Sequence, residues 1–406
     1  MKDIVEKVVK NQNCVGCGLC SKFYENCYVM NMTSNGFWRP KKIKGVSYKN
    51  EIMDRQFKKM CPGYMRNGKN NVTGNSLWGE YKELYTTYSS DKIIRYKSST
   101  GGSLTSILLY MLEKNIVNGV LQLSPIDSKP YINHFCISKN RDEIIKSIGS
   151  KYQPCFIFSS ISDIKKFAGK LAIVGKPCEI SSIKKYINYS NLNEKVYCYI
   201  SFLCGGTPSF DATLKLLNDN NIDKDEITYM QYRGDGWPGF FKVKKNNEEL
   251  LKISYVDSWA KNLSKKIQSS CRICTDGIGE EADIVFGDAW RLDDKGKPIF
   301  DDNDGINITF ARTKKGSELL KKAIENNYLE VECEYLDEEV LNKMQPFHSM
   351  HRKNVYYKIL ARKLLLRNVP QYPIKRFKDY SLENSFFKKV KLVLSEQKRY
   401  LKKINK

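Results

Sequence analysis

KLAIVGKPC, residues 170–178, is a short apolar run that stops at a Gly-Lys-Pro turn, which is typical of a buried strand ending at the edge of a sheet. KVYCYISFLCGGTPS, residues 195–209, repeats this arrangement, and ADIVFGDAW, residues 282–290, predicts a further strand. Helical patterns such as RDEIIKSI, residues 141–148, and SFDATLKLLNDN, residues 209–220, lie between the strands. This alternation predicts an α/β body with a mixed rather than an all-parallel sheet.

The chain divides into stretches of different composition. With 406 residues it is long enough for two or three domains. Residues 1–70 contain many cysteines and little long apolar periodicity, which predicts a small domain held by an inorganic cluster. Residues 70–91 are expected to be a connecting arm, residues 91–345 the α/β body and residues 346–406 a basic helical tail.

The composition also bounds the cellular setting. No N-terminal stretch resembles a signal peptide and no apolar run is long enough to span a bilayer, so we expect a cytoplasmic protein. Thirteen cysteines in a reducing compartment favour metal ligands and buried thiols over a disulfide framework. The three histidines offer no evident Ser–His–Asp or Cys–His arrangement, so we assign no catalytic residue.

Four cysteines of the body stand where predicted strands give way to turns. Cys178 closes the first segment quoted above, Cys204 precedes two glycines, and Cys271 and Cys274 form the pair CRIC. Strand ends at one edge of a sheet lie close together, so these four thiolates are expected to surround a single metal site. Glycines beside the ligands let backbone N–H groups donate to the sulfurs. Four thiolates also suit structural zinc, and the spacing leaves that alternative open.

A second set of cysteines lies near the N-terminus. Cys14, Cys17 and Cys20 are separated by two residues each in NQNCVGCGLCSK. This tight triplet is typical of a four-iron cluster, whereas zinc ligands usually occur as separated pairs. The fourth ligand is assigned to Cys61, which a proline follows in MCPGY, and Cys27 is the alternative. The other cysteines are expected to be structural: Cys136, Cys155, Cys198 and Cys333.

The C-terminal region carries most of the net charge. Residues 351–406 hold 17 Lys and Arg against 3 Asp and Glu, which is +14 of the total of +23. A helix in FFKKVKLVLSEQKRYLKKI would have an apolar face formed by Phe386, Phe387, Val390, Val393, Leu394 and Leu401. Such a helix packs on its own domain, or it binds an anionic membrane surface or an acidic partner. No nucleic acid is expected, because no recognised module accompanies the charge.

The chain contains, in this order, SSTGGS, SKYQP, GKPCEI, LCGGTPS, YRGDGWPG, CRIC and ADIVFGDAW. Together these motifs resemble the coenzyme F420 hydrogenase/dehydrogenase beta-subunit family, from about Cys14 to Arg312. The resemblance implies FAD in the body and a [4Fe–4S] cluster held by the four body cysteines. It also implies a ferredoxin-like N-terminal domain, which fits a second [4Fe–4S] cluster at the N-terminal cysteines Cys14, Cys17, Cys20 and Cys61.

The residues themselves also indicate where a dinucleotide such as FAD would bind. SSTGGS precedes a predicted helix, so its backbone N–H groups and the positive helix end suit a pyrophosphate, although a plain helix cap would look the same. Lys176 would place a positive charge near the flavin ring. Asp288 is either an outer acceptor or a turn residue. The expected contacts are Ser98, Thr100, Gly101, Gly102, Ser103, Lys151, Tyr152, Gln153, Lys176 and Asp288.

The expected function is that of an oxidoreductase that passes electrons between two [4Fe–4S] clusters and FAD, with a small-molecule substrate or a redox partner protein. Bacterial members of the family often accompany polysaccharide-synthesis proteins, which extends the expectation to polysaccharide biosynthesis. One alternative is a non-catalytic electron-transfer subunit that feeds a separate enzyme. Another is a zinc-stabilised binding protein with its basic tail on an anionic surface. The tail would allow a cytoplasmic protein to lie at the inner membrane face.

Overall fold

The computed structural model describes residues 3–46, 50–66 and 76–404, so the predicted connecting arm lies partly outside it. The strands are β1 (Tyr28–Met32), β2 (Trp38–Lys42), β3 (Glu83–Ser89), β4 (Gly119–Ile126), β5 (Lys129–Ser138), β6 (Leu171–Val174), β7 (Val196–Phe202), β8 (Tyr229–Gln231), β9 (Phe240–Lys245), β10 (Glu248–Ser254), β11 (Ile284–Asp288), β12 (Asn307–Ala311) and β13 (Leu329–Cys333). The helices are α1 (Ile4–Lys10), α2 (Leu19–Phe23), α3 (Glu51–Met60), α4 (Lys92–Lys97), α5 (Ser103–Glu113), α6 (Arg141–Lys146), α7 (Ile161–Lys166), α8 (Pro177–Tyr189), α9 (Phe210–Asn218), α10 (Lys314–Glu325), α11 (Glu338–Met344), α12 (Pro346–Leu364), α13 (Ile374–Tyr380) and α14 (Phe386–Ile404).

An eight-stranded sheet lies at the centre of the described chain, in the order β13-β3-β12-β11-β7-β6-β4-β5. β4, β6, β7 and β11 are parallel, and antiparallel strands flank them on both sides. The mixed sheet that the sequence predicts is therefore confirmed. The carboxyl ends of the parallel strands meet at one edge, which is where open α/β sheets bind their ligands.

β3 is a central strand, hydrogen-bonded to β12 on one side and β13 on the other. The sequence-based expectation of a connecting arm is wrong for this segment. The strand is not recognised from apolar periodicity because several of its side chains carry hydroxyl groups. Thr86 and Thr87 are nevertheless buried. Thr87 Oγ1 forms hydrogen bonds with Thr309 Oγ1 (2.7 Å) and Ser103 Oγ (2.8 Å), which satisfies its polar group inside the core.

Helices cover both faces of the sheet. Ala172 and Ile284 pack with α5, α6 and α10 on one face. Ile173 and Val285 point to the other face, toward α8 and the N-terminal region. The successive strand residues alternate between two cores, which explains why the strands read as continuous apolar runs. α5 is buried along most of its length and is a core helix rather than an amphipathic surface helix.

Two smaller units pack against this body. β8, β9 and β10 form an antiparallel sheet beside α9, whose N-cap is Ser209, since the Ser209 side chain accepts from Ala212 N. The N-terminal region contains α1, α2, α3 and the hairpin of β1 and β2.

The C-terminal segment is helical, as predicted, but it is not a peripheral tail. Val355, Ile359 and Ala361 of α12 are buried. The chain after α12 lies on the N-terminal region, where Asn13 Nδ2 donates to Asn368 O at 2.8 Å. α12 and α14 pack against each other, and α12 contacts the segment 269–273, which carries Cys271 of the body cysteine set. The C-terminal segment thus holds the N-terminal region and the body together.

Candidate functional site

A cavity of about 1180 Å³ opens at the carboxyl edge of the parallel strands. Gly175 follows β6, Cys204 follows β7, Asp288 ends β11 and Asn307 begins the antiparallel β12. All four line the cavity. The volume exceeds the usual range of about 300–1,000 Å³ for small-molecule pockets, so a dinucleotide has room here.

The SSTGGS loop lies at this same edge, because β3 ends there and α4 leads into the loop. Ser98, Thr100 and Gly102 line the cavity. The buried Ser98 Oγ has no hydrogen-bond partner among the described residues. Ser103 does not line the cavity: Ser103 N donates to Asn307 Oδ1 (3.1 Å), so one N–H group at the start of α5 is already satisfied.

Gly101 packs closely against neighbouring backbone and does not line the cavity. A Cβ atom at Gly101 would lie 2.9 Å from Asn307 Oδ1 and 3.0 Å from both Asn307 N and Ile306 Cα. The expectation that this glycine clears space for a pyrophosphate is therefore not supported by its surroundings. Gly102, which has a φ of +79° and caps α5, is the glycine of this loop that borders the cavity.

Arg233 and Asp288 form the polar centre of the cavity wall. The guanidinium contacts both carboxylate oxygens, at 2.8 and 3.0 Å. Asp288 also accepts from Thr100 Oγ1 (2.5 Å) and Trp237 Nε1 (3.1 Å), so it is much more than a turn residue. Burial alone would raise the pKa of Asp288, but Arg233 holds it below its ordinary value. The carboxylate is ionised and links the SSTGGS loop to YRGDGWPG.

Sequence reasoning missed Arg233, although it lies in a quoted motif. Its guanidinium lies 4.4 Å from the ring centre of Tyr255 and 5.1 Å from that of Trp290. Trp290 in turn stacks on Trp237 at 4.8 Å. Tyr255 and Trp290 line the cavity, so a planar ligand would meet an aromatic wall fixed by a buried cation.

The SKYQP residues are placed in the cavity lining, but two of them are already engaged. Lys151 Nζ donates to the carbonyls of Ser147, Ile148 and Gly149 at 2.8–3.2 Å. Burial lowers the pKa of Lys151 to about 8. The Gln153 amide accepts from Asn133 N and donates to Tyr131 O. Tyr152 packs on Trp259, at 4.4 Å between ring centres.

Lys176 is also paired. Its Nζ lies 2.6 Å from Glu179 Oε1, and both side chains are buried. Burial alone would lower the pKa of Lys176, but the carboxylate raises it, so the ammonium stays charged. Because Glu179 balances that charge, the lysine offers less positive potential to a ligand than a lone cation would.

The structure brings the body cysteines together. Cys178 lies in the first turn of α8, a helix that sequence reasoning did not predict. Burial raises the pKa of the Cys178 thiol well above its ordinary value, and the neighbouring Cys274 and Cys204 raise it further. Burial and then Cys271 raise the pKa of Cys204 to about 12, while Gly206 N donates to the sulfur. A backbone donor beside Cys204 is the environment expected of a metal-bound thiolate.

Side chains from distant parts of the chain hold the loop of Cys271 and Cys274. Its backbone carbonyls accept from Arg362 (Ser269 O, 2.7 Å), Arg66 (Ser270 O, 3.1 Å), His351 (Cys274 O, 2.8 Å) and Arg352 (Thr275 O, 2.6 Å). We call these four side chains the carbonyl clamp. Three of them belong to α12, which lies outside the stretch in which the sequence motifs occur. No motif could have identified them.

The N-terminal cysteines are likewise grouped. Burial raises the pKa of the Cys20 thiol well above its ordinary value, and Cys14, Cys17 and Cys61 raise it further. Gly16 N donates to Cys14 Sγ at 3.4 Å. Cys27 instead lines a separate small depression with Tyr186 and Tyr189. Cys61 thus adjoins the cysteine triplet while Cys27 faces a different depression, and the assignment of Cys61 as the fourth ligand stays a prediction.

Among the described residues, no three His, Cys, Asp or Glu side chains are close enough together to hold one metal ion. Four thiolates suit structural zinc as well as a four-iron cluster, so the two [4Fe–4S] clusters stay a prediction.

Five cations outside the motifs contribute to the cavity lining: Lys265, Arg272, Lys358, Arg399 and Lys402. Lys358 lies close to Arg272 and Arg399, and we call this part of the lining the cationic end of the cavity. The described lining contains two carboxylates, and both are already paired: Glu179 with Lys176 and Asp288 with Arg233. This end of the cavity therefore suits an anionic group.

Comparisons with known proteins agree with these features. Two family models for the coenzyme F420 hydrogenase/dehydrogenase beta subunit match the chain, the N-terminal one at residues 84–162 and the C-terminal one at residues 168–335. The coenzyme F420 hydrogenase subunit beta of Methanococcus voltae is 26% identical over 264 residues, which is 62% of this chain and 85% of that protein. The subunit beta of Methanosarcina barkeri is 25% identical over 264 residues, covering 62% of this chain and 82% of the relative.

A solved structure has a similar fold. It is titled "Xenon derivatization of the F420-reducing [NiFe] hydrogenase complex from Methanosarcina barkeri" and matches with a TM-score of 0.54 and 20% identity. The match covers 73% of this chain and 97% of the other. Within the described residues, no helix is both long and apolar enough to cross a membrane.

Proposed function

The chain belongs to the coenzyme F420 hydrogenase/dehydrogenase beta-subunit family, and on that premise we propose that it is an iron–sulfur flavoprotein oxidoreductase. One observation carries the proposal. The cavity is lined on one side by the SSTGGS loop and on the other by Cys204 and Cys271 of the body cysteine set. A site for a two-electron cofactor thus adjoins a site for a one-electron cofactor.

The residues fit the groups that the proposal requires. One [4Fe–4S] cluster would be held by Cys14, Cys17, Cys20 and Cys61, and the other by Cys178, Cys204, Cys271 and Cys274. FAD would occupy the cavity, where the unpartnered Ser98 Oγ and the aromatic wall are available. Flavins exchange electron pairs with organic molecules, and iron–sulfur clusters carry single electrons.

The chain's own residues prepare this site. The Arg233–Asp288 pair fixes the wall between the phosphate loop and the aromatic side chains. Arg66 follows Cys61 by five residues, and its guanidinium binds the carbonyl next to Cys271. It therefore ties the two cysteine sets into one rigid unit, which supports electron transfer between them.

The cationic end of the cavity supports an anionic substrate or an acidic surface on a redox partner protein. Lys358 is largely buried there, and burial followed by the neighbouring Arg272 lowers its pKa to about 8. Bringing an anion to this cluster would relieve the repulsion among its cations.

A second candidate function is an electron-transfer subunit that hands electrons to a separate catalytic chain. The names of the relatives favour it, since they are subunits of coenzyme F420 hydrogenases. Steady-state turnover by the purified single chain with a small-molecule donor and acceptor would favour the enzyme, whereas turnover only after a partner is added would favour the electron-transfer role.

Anaerobic purification followed by iron, sulfide, zinc and flavin analysis tests the proposal. We expect about eight iron atoms and one flavin per chain, with broad absorption in the visible blue, as two four-iron clusters and FAD require. Zinc in place of iron, or the absence of flavin after reconstitution with FAD, would overturn it.

A further inference from the structure

α14 packs against the rest of the molecule through a face that the sequence pattern would not predict to be buried. Glu396 and Tyr400 are buried against the rest of the molecule. An adjoining face of the helix is apolar and exposed, with exposed fractions of 85% for Phe387, 73% for Phe386 and 60% for Leu394. Val390 and Leu401 are exposed as well. Burying a helix by its polar side while presenting phenylalanines to solvent is unusual and points to a partner.

The exposed half of α14 is organised into two parallel stripes. At 100° per residue, the five exposed apolar side chains fall within an arc of about 100°. The exposed lysines at positions 388, 391, 398 and 402 occupy the adjoining arc. The acidic residue of α14, Glu396, is buried and bound to Arg362 and Arg272. The exposed surface of the helix therefore combines apolar and basic side chains.

We propose that α14 lies flat on an anionic lipid surface, with Phe386, Phe387 and Leu394 inserted among the headgroups and the lysines on lipid phosphates. A basic stripe beside an apolar stripe is the pattern of an interfacial helix. A second copy of the chain fits less well. In a symmetric dimer formed through α14, the lysines of one copy would face the lysines of the other copy, and their charges would repel.

Docking in this orientation has a consequence for the cavity. Arg399 and Lys402 belong to α14, are exposed and also line the cationic end of the cavity. The cavity therefore opens beside the lipid-facing helix. A substrate or partner confined to the membrane surface would reach the cavity without crossing bulk solvent.

Co-sedimentation of the full chain with vesicles tests the proposal. At low salt we expect binding to vesicles containing phosphatidylglycerol and little binding to pure phosphatidylcholine, with binding lost as salt rises. Replacing three exposed lysines, Lys388→Gln, Lys391→Gln and Lys398→Gln, should weaken binding on the order of a hundredfold. Phe386→Ser with Phe387→Ser should weaken it comparably.

Exposed apolar side chains elsewhere provide matched controls. Ile52 is 73% exposed and Tyr335 is 90% exposed, and neither lies on α14. Ile52→Ser and Tyr335→Ser should leave vesicle binding unchanged. Equal loss of binding in these controls would show non-specific adsorption and overturn the proposal.

A fluorescence measurement keeps the test independent of variant stability. Phe387→Trp alters an exposed position, so it should fold normally. The emission that remains after subtraction of the wild-type spectrum, to which five native tryptophans contribute, should shift to the blue with phosphatidylglycerol vesicles but not with phosphatidylcholine. An unshifted emission, or wild-type protein that stays in the supernatant at low salt, would overturn the proposal. So would a wild-type dimer that Phe387→Ser converts to a monomer.

Discussion

Arg362 and Glu396 form an ion pair with an N–O distance of 2.9 Å, in which the side chains are 0% and 1% exposed. The same guanidinium donates to Ser269 O at 2.7 Å. One arginine therefore joins α12, α14 and the loop that carries Cys271. This contact makes the C-terminal helices part of the scaffold that holds the loop of Cys271 and Cys274.

Arg362→Met should destabilise the protein by about 3–5 kcal/mol, because it leaves Glu396 buried with one cation fewer and Ser269 O without its donor. Urea unfolding followed by circular dichroism measures the change. Lys215→Met is the matched control. Lys215 pairs with Asp219 on an exposed helix face, so its loss should change stability little. Equal effects of the two substitutions would contradict the role given to Arg362.

Arg352→Gln should reduce the iron content by about half, because Arg352 binds Thr275 O beside Cys274. The proposed N-terminal ligands are not altered by this substitution. The neighbouring Lys353→Gln is the control, since Lys353 pairs with a Glu383 that is 75% exposed. Iron analysis and the visible spectrum distinguish them. Full iron in Arg352→Gln would show that the carbonyl clamp does not support the cluster.

Cys61→Ser and Cys27→Ser should differ in iron content. The loss of Cys61 removes one thiolate from the group that includes Cys20, so about half of the iron should be lost. Cys27→Ser should retain the full amount, because Cys27 faces another part of the surface. The opposite pattern would identify Cys27 as the ligand.

Thr105→Met should reduce flavin retention severalfold while leaving iron unchanged. Thr105 lies in the first turn of α5 and lines the cavity, so a longer side chain occupies space that the proposed cofactor needs. Ser103→Ala is the control, since Ser103 turns toward Thr87 and away from the cavity. Flavin content after gel filtration, measured by absorbance, gives the result. Unchanged flavin in Thr105→Met would place the cofactor elsewhere.

Gly101→Val should lower the melting temperature even in protein stripped of cofactors. The new side chain would meet the backbone of Ile306 and Asn307, which cannot move without distorting the sheet. Thermal unfolding of the stripped wild-type and variant chains measures the effect. Equal melting temperatures would restore this glycine as a candidate contact for the phosphate.

The sequence by itself determined the α/β character and the mixed sheet, because these follow from local patterns. Apolar runs that end in Gly-Lys-Pro or Cys-Gly-Gly turns place Cys178 and Cys204 just after strand ends, and the parallel pairing of β6 and β7 brings both ends to the same sheet edge. The choice of Cys61 over Cys27 likewise rested on a local cue, the proline that follows it.

Only the tertiary structure decided what surrounds those residues. Arg362 reaches a carbonyl 93 residues away in sequence, and Arg66 reaches one 204 residues away. The sequence did not reveal β3 as an interior strand, because the polar Thr87 is accommodated there only through its hydrogen bond to Thr309 across the sheet. α14 turns its apolar face outward because the buried Glu396 is held by Arg362 and Arg272. Periodicity identifies the two faces of a helix, but long-range ion pairs and packing determine which face is buried.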